Sequence, residues 1–352
     1  MIGRLIFEDG TICEGTSFGF ENSVAGEIAF STGMVGYTES FTDPSYKGQI
    51  LTLSYPIVGS YGVPLRLGGW ESEKIQISGL IVSQYINTPS HFQSIMNLGE
   101  WLKQEKIPAL EIPDTRFIVK KIRDEGATLA KVELGETIEF VNPNKQNLVE
   151  MVSIKEIKTY KPARLGGVQR QNKTVILIDC GVKENIIREL LNRNIRVIRV
   201  PWNYDFIEEE MQCDGVVISN GPGDPKMASK TIEIVKKALA KKIPILGICL
   251  GNQILALASG GDTYKLSFGH RGQNQPCSLV GSKKCYITTQ NHGFAIKKIP
   301  PGFNSWFINC NDGTNEGIIH KTLPFMSVQF HPEAAPGPVD TTWIFDKFLN
   351  SL

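Results

Sequence analysis

The cysteine best suited to act as a nucleophile is Cys249, which lies in the pentapeptide Gly-Ile-Cys-Leu-Gly (247–251). An apolar run typical of a buried strand precedes it, and residues typical of a helix follow. This is the pattern of a nucleophile elbow with cysteine in place of serine, and the two glycines leave room for the sharp turn. The dipole of the following helix favours a thiolate at this position. The alternative is a buried, unreactive cysteine with incidental glycines.

A thiolate nucleophile needs a base, and the sequence contains five histidines. Of these, His331 follows a predicted strand (325–330), so it lies at the carboxyl end of a strand, as Cys249 does. Glu333 is two residues further on, and alternate residues of an extended backbone point to the same side. Glu333 can therefore orient the imidazole and stabilise its charged form. Alone, His-Pro-Glu is more simply a surface turn; together with Cys249 it predicts a Cys-His-Glu triad.

A glycine-rich loop, Ser-Asn-Gly-Pro-Gly-Asp-Pro (219–225), directly follows another apolar run. Glycine lets backbone N–H groups approach a ligand closely. One of these N–H groups, with that of Leu250, is a candidate oxyanion hole. The alternative is a loop that merely turns the chain. The loop is not a phosphate-binding loop of the Walker type, since Gly-x-x-x-x-Gly-Lys-Ser/Thr occurs nowhere in the sequence.

The second half of the chain predicts a doubly wound, mostly parallel α/β sheet with helices on both faces. Residues 174–179 form a continuous apolar run, the signature of a strand buried on both faces. Further strands and helices alternate along the chain, which indicates a parallel sheet. The predicted strands are 195–200, 215–219 and 243–248, and the predicted helices are 182–192, 228–241 and 252–259.

The first half of the chain predicts a mixed α/β domain. Asp9-Gly10 separates two short runs of strand formers and indicates a hairpin. Residues 75–86 are rich in strand formers, and apolar spacing predicts helices over 91–106 and 115–125, the second ending at Gly126. Periodicity fades from about 142 to 172. We therefore predict two domains, 1–150 and 151–352.

Composition excludes several classes of protein. Lys+Arg at 37 against Asp+Glu at 36 leaves a net charge of +1, which predicts no nucleic-acid partner and no membrane partner. The most apolar stretch, 243–258, is shorter than the roughly 20 residues that span a bilayer. The first residues lack the apolar core of a signal peptide, so we expect a cytoplasmic protein. The seven cysteines include no Cys-x-x-Cys, so neither a disulfide framework nor a zinc ribbon is expected.

Taken in order, Asn-Gly-Pro-Gly-Asp-Pro, Gly-Ile-Cys-Leu-Gly and His-Pro-Glu resemble the class I glutamine amidotransferases. The first half narrows the resemblance, with Thr-Gly-Met-Val-Gly-Tyr (32–37), Thr-Asp-Pro-Ser-Tyr (42–46) and Gln-Ile-Leu-Thr-Leu-Ser-Tyr-Pro (49–56). Together with Gln-Asn-His-Gly-Phe-Ala (290–295) and His-Pro-Glu-Ala-Ala-Pro-Gly-Pro (331–338), these segments are similar to the small-chain family of carbamoyl phosphate synthetase. The resemblance covers nearly the whole chain.

The resemblance implies that Cys249 attacks the side-chain amide of L-glutamine, that His331 and Glu333 complete the triad, and that ammonia leaves from a glutamyl thioester. It also implies a set of residues that hold the glutamine: Ser45, Gly221, Gly223, Leu250, Gln253, Asn291, Gly293 and Phe294. One departure is Asn252, where the family commonly has histidine; we expect it to tune activity without abolishing it. No metal and no cofactor are expected on this chain.

The implied partner is the large subunit of the synthetase, which uses ATP, Mg and bicarbonate to make carbamoyl phosphate for arginine or pyrimidine biosynthesis. The sequence independently favours a partner protein, because free ammonia is lost to water and the chain shows no residues that would use ammonia in a further reaction. Two alternatives are an amidotransferase subunit of another synthetase and a stand-alone γ-glutamyl hydrolase. The first 150 residues, which include Ser45, distinguish the small-chain family from these two alternatives. A third alternative is a non-catalytic binding module, and an intact triad argues against it.

Overall fold

The computed structural model describes residues 1–66, 69–163 and 173–352, which form two compact units. Unit 1 contains residues 1–148 and 267–272, and unit 2 contains residues 149–266 and 273–352. The predicted domains, 1–150 and 151–352, did not anticipate that 267–272 lies with the N-terminal residues. The stretch of fading periodicity, 142–172, falls partly outside the described residues.

Unit 1 is a closed barrel with three helices among its described residues. Its strands are β1 (Ile2–Phe7), β2 (Ile12–Ser17), β3 (Val24–Ser31), β4 (Gln49–Leu53), β5 (Ile57–Val58), β6 (Gly79–Val82), β7 (Gln84–Tyr85), β8 (Ala109–Glu111) and β9 (Leu129–Glu133). Its helices are α1 (Tyr37–Thr42), α2 (Leu98–Gln104) and α3 (Thr115–Glu125). The barrel order is β1-β2-β8-β6-β4-β3-β9, while β5 and β7 pair separately. β3, β4, β6 and β8 are parallel and the other barrel neighbours are antiparallel, so the sheet is mixed, as predicted.

The hairpin predicted around Asp9-Gly10 is confirmed. β1 and β2 pair antiparallel with Ile6 opposite Ile12, and Gly10 has a φ of +88°, a conformation that glycine adopts without steric cost. Alternation places Leu5 and Phe7 in the barrel core, where both are fully buried. The hairpin therefore follows from turn chemistry and from the two-residue period of a strand.

Of the two helices predicted in this unit, one is confirmed and the other is too long. Helix α3 occupies 115–125 as predicted, with the Asp114 side chain accepting a hydrogen bond from the Phe117 N–H. The helix predicted over 91–106 is wrong for its first turns, because α2 begins only after Asn97, whose side chain caps the helix. Phe92 has Ile95 and Leu98 at the spacing of a buried helix face, yet its side chain is 88% exposed. Apolar spacing alone therefore misplaced the helix start.

Unit 2 contains a sheet that is parallel in its centre. Helix α4 (Leu148–Val152) begins at the last residue of unit 1's first segment. The strands that follow are β10 (Lys158–Tyr160), β11 (Thr174–Asp179), β12 (Arg196–Pro201), β13 (Gly215–Ile218), β14 (Ile245–Ile248), β15 (Asp262–Leu279), β16 (Cys285–Lys298), β17 (Phe303–Asn309), β18 (Asn315–His320) and β19 (Phe325–Val328). The helices are α5 (Glu184–Asn192), α6 (Ser229–Ala240), α7 (Leu250–Ala258) and α8 (Trp343–Leu349).

The parallel part of the sheet has the order β12-β11-β13-β14-β19 and is covered on both faces, as predicted. Alternate residues of β11 enter two different cores: Ile176 and Ile178 pack with α6 and α7, whereas Val175 and Leu177 pack with α5 and α8. This explains why the strand reads as an unbroken apolar run. The antiparallel extension β18-β17-β15-β16 was not predicted. Within the described ranges, no helix combines the length and apolarity needed to cross a bilayer.

A buried carboxylate holds the carboxyl end of β11. Asp179 is fully buried, and its two oxygens accept hydrogen bonds from the N–H groups of Ile154, Gly181 and Val182 and from Nε of Arg199. Burial by itself lowers the pKa of Arg199, but the charge of Asp179 together with Tyr160 and Glu184 outweighs burial and raises that pKa. The ion pair therefore stabilises the loop that follows β11.

We expect the substitution Asp179→Asn to lower the free energy of unfolding by about 3–5 kcal/mol, because it leaves the Arg199 charge buried without its main partner. Urea denaturation measures this change. The matched control is Asp346→Asn, which breaks a pair with Arg193 in which the aspartate side chain is 59% exposed. The control is expected to cost less than about 1 kcal/mol. Equal losses in the two variants would contradict this role of Asp179.

Candidate active site

Cys249 lies at the junction of β14 and α7, where its backbone is strained and its side chain is buried. Its φ of 55° and ψ of −104° lie in a region that costs a non-glycine residue about 1–3 kcal/mol. The surroundings hold it there: the Cys249 N–H donates to the Val328 carbonyl at 2.8 Å, and helix α7 begins at the next residue. The helix thus starts two residues earlier than the sequence predicted. Cys249 is therefore the residue at which the backbone turns sharply from the strand into the helix.

The two glycines around this cysteine are required by close backbone approach. A Cβ atom on Gly251 would lie 2.1 Å from the Ile218 carbonyl oxygen, and one on Gly247 would lie 2.5 Å from the Gly251 carbonyl oxygen. Both distances are far below van der Waals contact, and both neighbours are backbone atoms that cannot rotate away. The sequence prediction that the turn needs small residues two positions to either side therefore has a concrete structural reason.

His331 and Glu333 form a buried pair beyond the end of β19. That strand ends at Val328, before the predicted 330, and the His331 N–H then donates to the Thr289 carbonyl of β16 at 2.9 Å. Nδ1 of His331 lies 2.6 Å from Oε1 of Glu333, so the two side chains point to the same side. Among the described residues, Nε2 of His331 has no hydrogen-bond partner. This nitrogen can therefore exchange a proton with a bound substrate.

Electrostatics favour the charged form of both members of the pair. Burial alone lowers the pKa of His331, but the charges of Glu333 and Cys249 outweigh it and raise that pKa to about 10. Burial alone raises the pKa of Glu333, but the charges of His331 and Lys183 bring it below its usual value. At neutral pH the pair is therefore an imidazolium beside a carboxylate, and the imidazolium can donate a proton.

Lys183 completes this arrangement and was missed by the sequence analysis. It is almost fully buried, with Nζ 3.4 Å from Oε1 of Glu333 and donating to the Ala334 carbonyl at 2.5 Å. Its backbone N–H donates to Oδ1 of Asn220 in the glycine-rich loop at 3.0 Å. The available signal was its place just after a buried strand, at the carboxyl edge of the sheet. Lysine is so common on surfaces that its type alone carried no signal.

Several residues of the expected glutamine site lie around Cys249. Sγ of Cys249 donates to the Asn291 carbonyl oxygen at 3.6 Å, and Nε2 of Gln253 donates to the Phe294 carbonyl oxygen at 2.8 Å. Gly293 lies between these two residues on β16. The structure thus brings the start of α7 against the segment 291–294.

The glycine-rich loop is also packed against the start of α7. A Cβ atom on Gly221 would lie 2.1 Å from the Cys180 carbonyl oxygen and 2.9 Å from Cδ2 of Leu250. Gly223 has a φ of +82°, which glycine adopts without strain. The loop backbone at Gly221 therefore lies close to the side chain of Leu250.

Ser45 belongs to unit 1, whereas the other expected glutamine contacts belong to unit 2. It lies in a 3₁₀ turn, Pro44–Tyr46, and is 6% exposed. Its N–H donates to Oδ1 of Asp43 at 2.9 Å, so the Asp43 side chain sets the turn. The contribution of Ser45 to glutamine binding stays a prediction.

Two family models match the chain. Residues 176–351 match the model described as glutamine amidotransferase class-I, and residues 5–132 match the model described as carbamoyl-phosphate synthase small chain, CPSase domain. The first match covers the parallel sheet, the elbow and the His331–Glu333 pair. The second covers most of the barrel of unit 1.

Curated relatives match the chain over 99% of its length. The multifunctional protein pyr1-3 of Dictyostelium discoideum is 48% identical over 374 residues, and the multifunctional protein pyr-3 of Neurospora crassa is 46% identical over 386 residues. The mitochondrial carbamoyl-phosphate synthase (ammonia) of Homo sapiens is 46% identical over 361 residues. The chain spans 17%, 21% and 24% of the length of these three relatives, respectively.

Proposed function

Because the chain belongs to the class-I glutamine amidotransferase family, we propose that it hydrolyses L-glutamine and supplies the ammonia for carbamoyl phosphate synthesis. The observation that carries the proposal is the buried elbow of Cys249 beside the His331–Glu333 pair. The match of residues 5–132 favours carbamoyl phosphate synthesis over another synthetase and over a stand-alone γ-glutamyl hydrolase. In those alternatives the resemblance would be confined to the second half.

The proposed first step is attack by the Cys249 thiolate on the carbonyl carbon of the glutamine side-chain amide. The first N–H groups of a helix have no partner within the helix, so the N–H of Leu250 is available to the oxyanion that develops. We propose that Gly221, which lies close to the Leu250 side chain, supplies the second backbone N–H. Losing one such donor typically costs about 3–4 kcal/mol of transition-state stabilisation.

His331 then moves protons in both halves of the reaction. As an imidazolium it gives a proton to the departing nitrogen, ammonia leaves, and a glutamyl thioester remains on Cys249. The neutral imidazole next takes a proton from water, which attacks the thioester and releases glutamate. Glu333 holds the ring through Nδ1 and stabilises the charged form, and Lys183 holds Glu333 in place.

The remaining expected contacts recognise the amino acid itself. We propose that the segment from Asn291 to Phe294, with Gln253 and Gly223, binds the α-amino and α-carboxyl end of glutamine. Ser45 is proposed as a contact contributed by unit 1. A side-chain amide at the thiol and an amino acid head group at this segment together account for selection of glutamine over simple amides.

The proposed partner is a synthetase region that uses ATP, Mg and bicarbonate. Ammonia released into water is protonated and lost, so the partner must take up the ammonia directly from this site. The chain spans about a sixth to a quarter of its relatives' length, so the partner is either a separate large subunit or a further part of a longer polypeptide. We propose that the product serves pyrimidine or arginine biosynthesis in the cytoplasm.

The name of the human relative specifies ammonia as its nitrogen source. Overall identity to that relative therefore does not decide whether glutamine is used. The arrangement of Cys249, His331 and Glu333 favours glutamine as the nitrogen source. A protein thiol is needed to release nitrogen from glutamine, but it is not needed when free ammonia is used.

Carbamoyl phosphate formation by the complex tests the proposal. The chain is purified with its synthetase region and given ATP, Mg and bicarbonate, with glutamine or ammonium as the nitrogen source. We expect Cys249→Ser to lose only the glutamine-driven reaction. If the unaltered complex hydrolyses glutamine yet makes no carbamoyl phosphate from either source, the proposed acceptor is wrong.

A further inference from the structure

We propose that Gln329 is a positioning residue that sets the orientation of the Gln253 side-chain amide in the glutamine site. Gln329 is fully buried two residues before His331, and it is absent from the triad and from the expected glutamine contacts. The inference rests on the proposed glutaminase function, since Gln253 is an expected contact of that substrate. It adds a residue whose effect on glutamine is exerted through another side chain.

The orientation of the Gln253 amide follows from its neighbours. Its Nε2 is 2.8 Å from the Phe294 carbonyl oxygen, and a backbone carbonyl can only accept a hydrogen bond. The same Nε2 is 3.0 Å from Oε1 of Gln329. Both amide hydrogens are thereby engaged, so Oε1 of Gln253 is the atom left for a ligand. That oxygen can only accept, which suits a donor such as the ammonium or amide N–H of an amino acid.

A chain of buried amides keeps Gln329 itself in one orientation. Its Oε1 also accepts from Nδ2 of Asn252 at 3.1 Å, and Oδ1 of Asn252 accepts from Oγ of Ser327 at 2.8 Å. Flipping the Gln329 amide would place its N–H group against those of Gln253 and Asn252, and flipping the Asn252 amide would place its Oδ1 against Oε1 of Gln329. The direction of every hydrogen bond in this network, from the Phe294 carbonyl to the Ser327 hydroxyl, is therefore determined.

This hydrogen-bond network links the three segments that carry the proposed chemistry. Asn252 and Gln253 lie in the first turn of α7, just after Cys249, and Phe294 lies on the segment expected to hold glutamine. Ser327 is on β19, and Gln329 follows that strand. Gln329 thus accepts from both α7 residues at the centre of the network.

The network gives a physical reason to expect that Asn252 is tolerated where the family commonly has histidine. A neutral imidazole offers one N–H and one acceptor nitrogen, the same pair of functions that Asn252 directs to Gln329 and Ser327. Either side chain can therefore keep the Gln329 carbonyl facing Gln253. This is why we expect the difference at 252 to tune the site and not to disable it.

Kinetics of three variants in the complex test the proposal. Gln329→Met has similar size but no acceptor, so we expect the KM for glutamine to rise about 10-fold or more with kcat changed less than about 3-fold. Gln329→Glu keeps an oxygen facing both donors, and Nε2 of Gln329 has no hydrogen-bond partner in the described residues. We therefore expect its KM to rise much less. Gln76→Met is the matched control, a buried glutamine of unit 1 outside the network, and its KM should stay at the unaltered value.

Hydrogen exchange of the Gln253 side-chain amide provides a readout that does not depend on activity. We expect slow exchange in the unaltered protein and in Gln329→Glu, and fast exchange in Gln329→Met. Similar exchange in all three, or a fall in kcat with an unchanged KM, would overturn the proposal. If no variant and not even the unaltered protein hydrolyses glutamine, the proposed function fails, while the exchange measurement still decides the role of Gln329.

Discussion

Replacing Cys249 by alanine is expected to reduce ammonia release from glutamine by at least about 10³-fold, because the nucleophile that forms the covalent intermediate is lost. Ammonium-driven carbamoyl phosphate formation by the complex should continue, since that reaction does not pass through the thiol. Ammonia release is followed with a coupled glutamate dehydrogenase assay. Cys310→Ala is the matched control, because this cysteine is exposed and its thiol contacts another thiol outside the site.

The same variant has a second consequence at His331. The charge of Cys249 is one of the causes that raise the pKa of this histidine, so the pKa should fall in Cys249→Ala. An NMR titration of the imidazole measures it. Glutamine turnover retained in Cys249→Ala, or lost to the same extent in Cys310→Ala, would remove Cys249 from the mechanism.

Replacing Glu333 by glutamine is expected to lower kcat/KM for glutamine by about 10²–10⁴-fold, a smaller loss than that from removing the nucleophile. The amide keeps an acceptor for Nδ1 of His331 but loses the charge that stabilises the imidazolium. It also leaves Lys183 buried without the carboxylate 3.4 Å away. The double variant Lys183→Met/Glu333→Gln separates these effects, because it removes the lysine charge as well as the carboxylate.

The pH dependence of stability has a definite sign. His331 has a pKa raised from 6.5 to about 10, so its contribution is fully present below about pH 6.5 and is lost as the pH rises toward 10. Glu333 has a lowered pKa, so its contribution is present above its unfolded value of 4.5 and is lost in acid. In Glu333→Gln the fall in stability between pH 6.5 and 10 should become shallower. Urea denaturation at several pH values measures this, and an unchanged slope with unchanged kinetics would reduce Glu333 to a packing residue.

The elements nearest the proposed nucleophile were predictable because their signals are local. The strand 174–179 is an unbroken apolar run, and the structure gives it the same bounds as the prediction. The elbow is marked by two glycines within five residues, and each is explained by a single close backbone contact. The hairpin at Gly10 likewise depends on a turn and on the strands beside it.

The features that sequence reasoning missed depend on contacts between distant residues. Phe92 has the spacing of a buried helix face, yet the capping side chain of Asn97 starts the helix later and Phe92 is exposed. Lys183 is buried because Glu333, 150 positions away, supplies its charge partner. The hydrogen-bond partners of Gln329 come together only when β19, α7 and β16 pack against one another. None of these partners can be read from the local pattern of residue types.

Trapping the covalent intermediate tests the central claim most directly. The protein is mixed with glutamine, quenched in acid during turnover, digested and analysed by mass spectrometry. The account predicts one glutamyl group on the peptide that contains Cys249, and no such adduct in Cys249→Ala. Rapid glutamine hydrolysis with no adduct on that peptide, or with the glutamyl group on another residue, would contradict it.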